Sequence, residues 1–217
     1  MPEAVFLSAG VPDPRRGPEY AATADAVAIT AAVSALVHVV LGRRLLVWGG
    51  HPAITPMVAM VAEAINVDYG RWVRLYQSSF FKDEYPEDNE RFQNVVYTDA
   101  VGQDLGRSLQ VMRERMFNSH QFAAAVFIGG MGGVVDEFDL FRAMHPDAAV
   151  VPVLSTGGAA LRLKDRLPSA SEDLATDMDY IALFHRHLEI PARERRYKRP
   201  EEQPVSLPAR IVTPEGR

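Results

Sequence analysis

Short, nearly unbroken apolar runs alternate along this chain with longer stretches in which polar residues recur at helical spacing. Ala4–Ser8 is the first such run and predicts a buried strand ending at Ala9 and Gly10. Arg44–Trp48, Trp72–Tyr76, Val95–Thr98, Phe122–Ile128 and Val150–Leu154 repeat the pattern. Between them, Asp25–Leu41, Ala53–Ile65, Leu105–Asn118, Val134–Met144 and Asp177–His187 predict helices. The proline-rich stretch Val11–Pro18 reads as a loop, and the polar, aromatic and acidic segment Gln77–Asn94 as an excursion from the core.

Strands that alternate with helices predict an α/β fold, a Rossmann-like three-layer sandwich around a mostly parallel sheet. Residues 1–190 form one domain on this reading. From Pro191 onward prolines and charges dominate and no apolar period survives, so 191–217 reads as a peripheral C-terminal tail, or an arm packed on a partner.

Ligands in such sheets sit outside the carboxyl ends of the strands. Four of the predicted strands end in small or turn-forming residues: Ser8-Ala9-Gly10, Gly49-Gly50-His51, Gly129-Gly130-Met131-Gly132-Gly133 and Ser155-Thr156-Gly157-Gly158. Glycine lets the backbone approach a phosphate closely, and unpaired amides at a helix start then donate to its oxygens. A single glycine pair would be ordinary turn chemistry. Several at one sheet edge point to a ligand site, and a purely structural oligomerisation module leaves them unexplained.

Composition narrows the ligand. The 217 residues carry a net charge of −5, which argues against nucleic acid as a partner but not against a small anion in a local pocket. With 47% hydrophobic residues there is enough for one sizeable core. The absence of cysteine removes thiolate chemistry, disulfides and zinc–thiolate sites, and is compatible with a reducing cytoplasm. The opening Met1–Ser8 lacks the basic and long apolar regions of a secretory signal. The apolar stretch Ala26–Leu41 is broken by Thr30, Ser34 and His38, so no membrane span is expected. His185 and His187 are two apart, not the four a helical metal pair needs, and neither a metal nor a cofactor is expected.

Gly129–Glu137, which follows a strand and opens a helix, resembles the P-G-G-x-G-T-x-x-E loop of the LOG, or "lysine decarboxylase-like", proteins within the SLOG superfamily. Met112-Arg113-Glu114-Arg115-Met116 is similar to the M-H-x-R-K-x-x-M helix of the LOG enzymes. Phe6–Ala9 and the loop Gly49–Pro56 look most like SLOG families linked to sirtuin and TIR proteins in bacterial defence. The likeness spans roughly residues 4–165. It departs at Ile128, where the LOG enzymes have proline, and at Gly133, where they have threonine.

The resemblance implies a nucleotide-type ligand, ADP-ribose-like or otherwise NAD-derived, bound by a sensor. Its alternative is a LOG-like hydrolase that cleaves a nucleotide's N-glycosidic bond. In the LOG enzymes an arginine and the motif glutamate are credited with that cleavage. Arg113 or Arg115 matches the first and Asp136 or Glu137 the second, and spacing does not decide between them. The ligand contacts expected are Ser8, Ala9, Gly49, Gly50, His51, Gly129, Gly130, Met131, Gly132, Gly133, Thr156 and Gly157. Arg15 and Arg16 are further candidates for phosphate, and Tyr76, Phe80 and Phe81 for stacking on a base, against the commoner fates of solvated charge and core packing. The LOG likeness also implies a homodimer, paired through Leu105–Phe117 and Val134–Met144.

Overall fold

The computed structural model describes residues 2–212. In chain order the elements are β1 (Ala4–Gly10), α1 (Pro18–Ala21), α2 (Ala26–Val40), β2 (Leu45–Trp48), α3 (Thr55–Ala64), α4 (Tyr69–Trp72), β3 (Val73–Ser78), β4 (Val95–Thr98), α5 (Leu105–Phe117), β5 (Phe122–Gly129), α6 (Gly132–Met144), β6 (Ala149–Val153), α7 (Gly158–Arg162), α8 (Asp173–Thr176) and α9 (Tyr180–His187). The six strands form one sheet in the order β4-β3-β2-β1-β5-β6, and every pairing is parallel. Helices cover both sides, so the fold is Rossmann-like α/β, as the alternating pattern predicts. Between β3 and β4, short 3-10 turns over Ser79–Glu84 and Glu87–Arg91 occupy the predicted excursion. Among the described residues no helix is long and apolar enough to cross a membrane.

The central strand is the reason the sheet is so apolar. Residues 4–7 of β1 are at most 2% exposed because β2 and β5 flank it and helices cap both faces. One face packs on α2, whose apolar residues point in almost every direction because α3 and α9 cover its back. Asp25 starts that helix by accepting from the amides of Val27 and Ala28, at 2.8 and 3.0 Å.

The other face of β1 meets α5 and α6 through an aromatic cluster. Phe6 stacks on Phe141 of α6 with ring centres 5.7 Å apart and meets Phe117 of α5 edge-on at 4.8 Å. Phe117 and Phe141 also pack against Phe122 at the start of β5. Such pairs add about 0.5–1.5 kcal/mol each beyond their burial. Their larger effect here is positional: β1, α5, β5 and α6 are keyed together one layer beneath the candidate site. Ser8 stands two residues beyond Phe6 and so shares its face.

Residues 191–212 run back against the approach to β2, on the opposite end of the sheet from the glycine loops. Glu194 is 2% exposed, with its carboxylate held by Arg44 at 2.8 Å and Arg210 at 3.0 Å. The Arg43 Nε donates to the Glu194 carbonyl, and the Tyr197 amide to the Gly42 carbonyl. The Trp72 indole N–H donates to the Lys198 carbonyl.

Candidate functional site

From β1 the chain lays down β2, β3 and β4 on one side, then returns to place β5 and β6 on the other. The loops after β1 and β5 therefore leave in opposite directions and open a crevice between Gly10 and Gly129, which face each other in register. A cavity of about 390 Å³ occupies it.

The glycine loop is built to present backbone. The Gly130 amide donates to the Gly10 carbonyl at 2.7 Å, which clips the ends of β1 and β5 together. The Gly130 carbonyl accepts from the Ala159 amide at 2.9 Å, which ties the loop to α7. Its φ is +74°, and a side chain there would collide with Val134, so only glycine fits. Met131 then caps α6 without offering a side-chain acceptor. Among the described residues the amides of Gly132 and Gly133 have no hydrogen-bond partner. These are the orphan donors of a helix start, and the helix dipole adds positive potential where they point.

Arg16 adds positive charge to this end and His51 a further donor. The His51 Nδ1 accepts from the Ala53 amide at 3.1 Å, which leaves the proton of the neutral ring on Nε2, beside Gly10. Burial, with the nearby Arg16 charge, holds the imidazole below its ordinary pKa. At neutral pH it is an uncharged donor.

Beside this cradle sits an acid–guanidinium pair. The Ser8 Oγ donates to Glu137 Oε2 at 2.6 Å, and the Arg113 Nε donates to Glu137 Oε1 at 3.3 Å. Arg113 also donates to the Gly133 carbonyl at 3.3 Å, so the pair is hinged on the glycine loop itself. Burial pushes the Glu137 carboxyl above the usual carboxylate range, against the opposing pull of Arg113 and Ser8.

Helical geometry separates the two members of each candidate pair. Residues two apart point to different sides of a helix. Arg113 faces inward at 7% exposure, whereas Arg115 is in solvent. Asp136 and Glu137 both line the cavity and both reach Arg113, at 3.5 and 3.3 Å, but the Asp136 side chain is 67% exposed and that of Glu137 16%.

Of the expected ligand contacts, Ser8, Ala9, Gly49, Gly50, His51, Gly130, Met131 and Gly133 line the cavity. Gly129, Gly132, Thr156 and Gly157 do not. Thr156 is fully buried, its hydroxyl accepting from the Gly129 amide at 2.9 Å and donating to the Val153 carbonyl at 2.6 Å. Gly157 is closed off by the Thr23 carbonyl. The reason is topological: β6 lies one strand beyond β5, so its carboxyl end braces the glycine loop from behind. A side chain at Gly132 would face Tyr20 rather than the cavity. Arg16 and Phe81 line the wall, while Arg15, Phe80 and the buried Tyr76 do not.

Trp48, Gln77, Tyr85 and Met112 also line the cavity and were not singled out by the sequence. Gln77 alone carried a signal, as a polar residue at the end of an apolar strand. Among the described residues no group of three or more His, Asp or Glu side chains is placed to hold a metal.

An all-parallel sheet with a glycine-loop crevice at its switch point defines a Rossmann-like ligand-binding domain. Residues 19–188 match the SLOG cluster3 family model, and the chain belongs to the SLOG cluster3 family. Membership makes it a nucleotide-related ligand-binding or LOG-like domain. No curated protein and no solved structure matches the chain.

Proposed function

We propose that this protein is a SLOG-type sensor that binds an ADP-ribose-like or other NAD-derived nucleotide. The observation that carries the reading is the unpartnered amide of Gly133 at the start of α6, on a residue that lines one cavity with His51 and Arg16. Donors gathered at one end of a cavity suit a phosphate or pyrophosphate. The ligand's ribose then lies against Ser8 and Glu137, whose groups bond hydroxyls well.

Binding without turnover is favoured by the state of the carboxylates. Both oxygens of Glu137 are already engaged, by Ser8 and Arg113. Asp136 is exposed, and Glu84, the other carboxylate at the wall, is exposed too. Among the described residues that line the cavity, Glu137 has no second largely buried carboxylate with which to share acid and base roles.

The Arg113–Glu137 pair carries a second reading, the LOG-like hydrolase. In that reaction the C–N glycosidic bond breaks, the base leaves with the electron pair and takes up a proton, and water adds to the sugar carbon. Glu137 would stabilise the cationic sugar in the transition state. Release of free base from nucleoside monophosphates and NAD-derived nucleotides separates the two. The sensor predicts none. If base is released, and the double variant Asp136→Asn, Glu137→Gln loses several orders of magnitude in rate while still binding, the hydrolase is right.

The proposal places the sensor in a bacterial conflict system of the cytoplasm, as a homodimer. Leu105 and Val111 of α5 are 38% and 41% exposed and offer an apolar surface for pairing. Sedimentation should give twice 24.0 kDa at micromolar concentration, and a 24.0 kDa species alone would refute the dimer.

A further inference from the structure

The cavity has a second end, remote from the glycine loop, where β2 and β3 finish. Its wall is formed by Trp48, Phe81 and Tyr85, with the polar side chains of Gln77 and the exposed Glu84. Gln77 is 5% exposed, and among the described residues its carboxamide has no hydrogen-bond partner. The amide is not sealed off: its nitrogen and oxygen open on the cavity, where water satisfies them until a ligand displaces it. The surrounding chain keeps it in place. Gly50 has φ +50°, and any side chain there would overlap the Gln77 amide nitrogen. Tyr85 is fixed as well, its hydroxyl donating to the Ser78 carbonyl at 2.9 Å and its ring packed 5.2 Å from Tyr97.

An aromatic wall that carries an unpaired carboxamide is the chemistry that reads a heterocycle. The two glycines between the ends set the order of parts along the cavity. A side chain on Gly49 would stand 3.9 Å from the Glu137 carboxylate, whereas one on Gly50 would meet Gln77. The sugar-facing acid and the free amide are thus neighbours along one stretch of wall, as sugar and base are neighbours in a nucleotide.

We infer that Gln77 is the base-reading residue of this site, its carboxamide pairing with the amino group and adjacent ring nitrogen of adenine while Phe81 and Tyr85 flank the ring. The inference rests on the proposed nucleotide site. A carboxamide offers one donor beside one acceptor, which matches the amino group and adjacent ring nitrogen of adenine and of cytosine, and adenine is chosen of the two because its larger ring fills more of an aromatic wall. Guanine's corresponding edge presents two acceptors and leaves the Gln77 oxygen unpaired.

The test is calorimetric titration of the whole protein with ADP, GDP, CDP and UDP, for the parent, Gln77→Leu and Gln77→Glu. Thermal melts of each variant check that it is folded. Gln77→Glu keeps the shape and replaces the donor with an acceptor, so it reports even if Gln77→Leu misfolds. The expected result is tightest binding of ADP by the parent, and a loss of roughly tenfold to hundredfold for ADP in either variant, with the other three little changed. Equal binding of all four diphosphates by the parent would overturn the assignment while leaving the phosphate site standing. So would an adenine preference that survives both substitutions. Failure of every diphosphate to bind would overturn the nucleotide site itself, and Gln77's role with it.

Discussion

Ser8 and Glu137 stand 129 positions apart in the chain, yet the Ser8 hydroxyl donates to the Glu137 carboxylate at 2.6 Å. The contact exists because β1 and β5 pair in register up to Gly10 and Gly129, and α6 folds back over β1 from the end of β5. The phenylalanines beneath it hold those elements in place. A hydroxyl, a buried carboxylate and a guanidinium are so fixed beside a helix start whose donors are unused.

Three glycines of one loop should respond differently to substitution. Gly130→Val forces a branched residue into positive φ and against Val134, so the protein should lose several kcal/mol of stability or fail to fold. Gly132→Ala should fold and bind normally, since the new methyl group faces Tyr20, about 3.7 Å off, and the amide is kept. Gly133→Val places bulk at the cavity wall, where a side chain would crowd Arg113 at 3.3 Å. It should fold yet bind ADP-ribose at least about tenfold more weakly. Denaturant melts paired with calorimetry separate the three outcomes, and equal affinity in Gly133→Val would show the loop to be turn chemistry alone.

Binding should tighten as the solution is acidified. The free His51 imidazole titrates below its ordinary value, so it is neutral at pH 7. A bound pyrophosphate raises that value by stabilising the charged ring. Affinity therefore climbs as pH falls through the bound-state pKa and levels off below the free-state pKa, by about tenfold per unit of difference. Glu137, whose carboxyl titrates above the usual range, adds to the trend in the same direction by shedding a negative charge. ADP-ribose is a suitable probe because its pyrophosphate diester does not titrate in this range. Calorimetry from pH 5 to 8 should show a shallower slope in His51→Gln than in the parent, and identical slopes would remove His51 from the cradle.

Glu194 should matter for stability and not for the ligand. Removing the carboxylate leaves Arg210 without this partner and the buried guanidinium of Arg44 with only the exposed Glu3, at 3.7 Å. Loss of one member of a buried pair costs about 3–5 kcal/mol. Glu194→Ala should therefore unfold at markedly lower denaturant while its folded fraction binds ADP-ribose as the parent does. A change below about 0.5 kcal/mol would mean that the C-terminal segment is only loosely attached.

Much of this was legible in the chain. Strand runs such as Phe122–Ile128 are apolar throughout because both faces are covered, and the helix from Asp25 carries its own cap. The crevice was legible in outline through the Gly129–Gly133 loop. What escaped depends on contacts distant in sequence. Thr156 and Gly157 have the composition of a ligand loop, but strand order, which no local pattern encodes, puts them behind the glycine loop. Gln77 is an ordinary polar residue until the fold encloses it with aromatic rings. Glu194 lies in a run of charges whose period suggests solvent, and only Arg44 and Arg210 explain its burial.

The account turns on whether the crevice holds a nucleotide at all. Protein purified without added ligand and denatured directly into a mass spectrometer answers this, with Gly133→Val prepared in parallel. The prediction is an intact, pyrophosphate-bearing nucleotide released from the parent and missing from the variant. A parent that releases no nucleotide, and that binds neither ADP-ribose nor ADP on titration, would contradict the central claim.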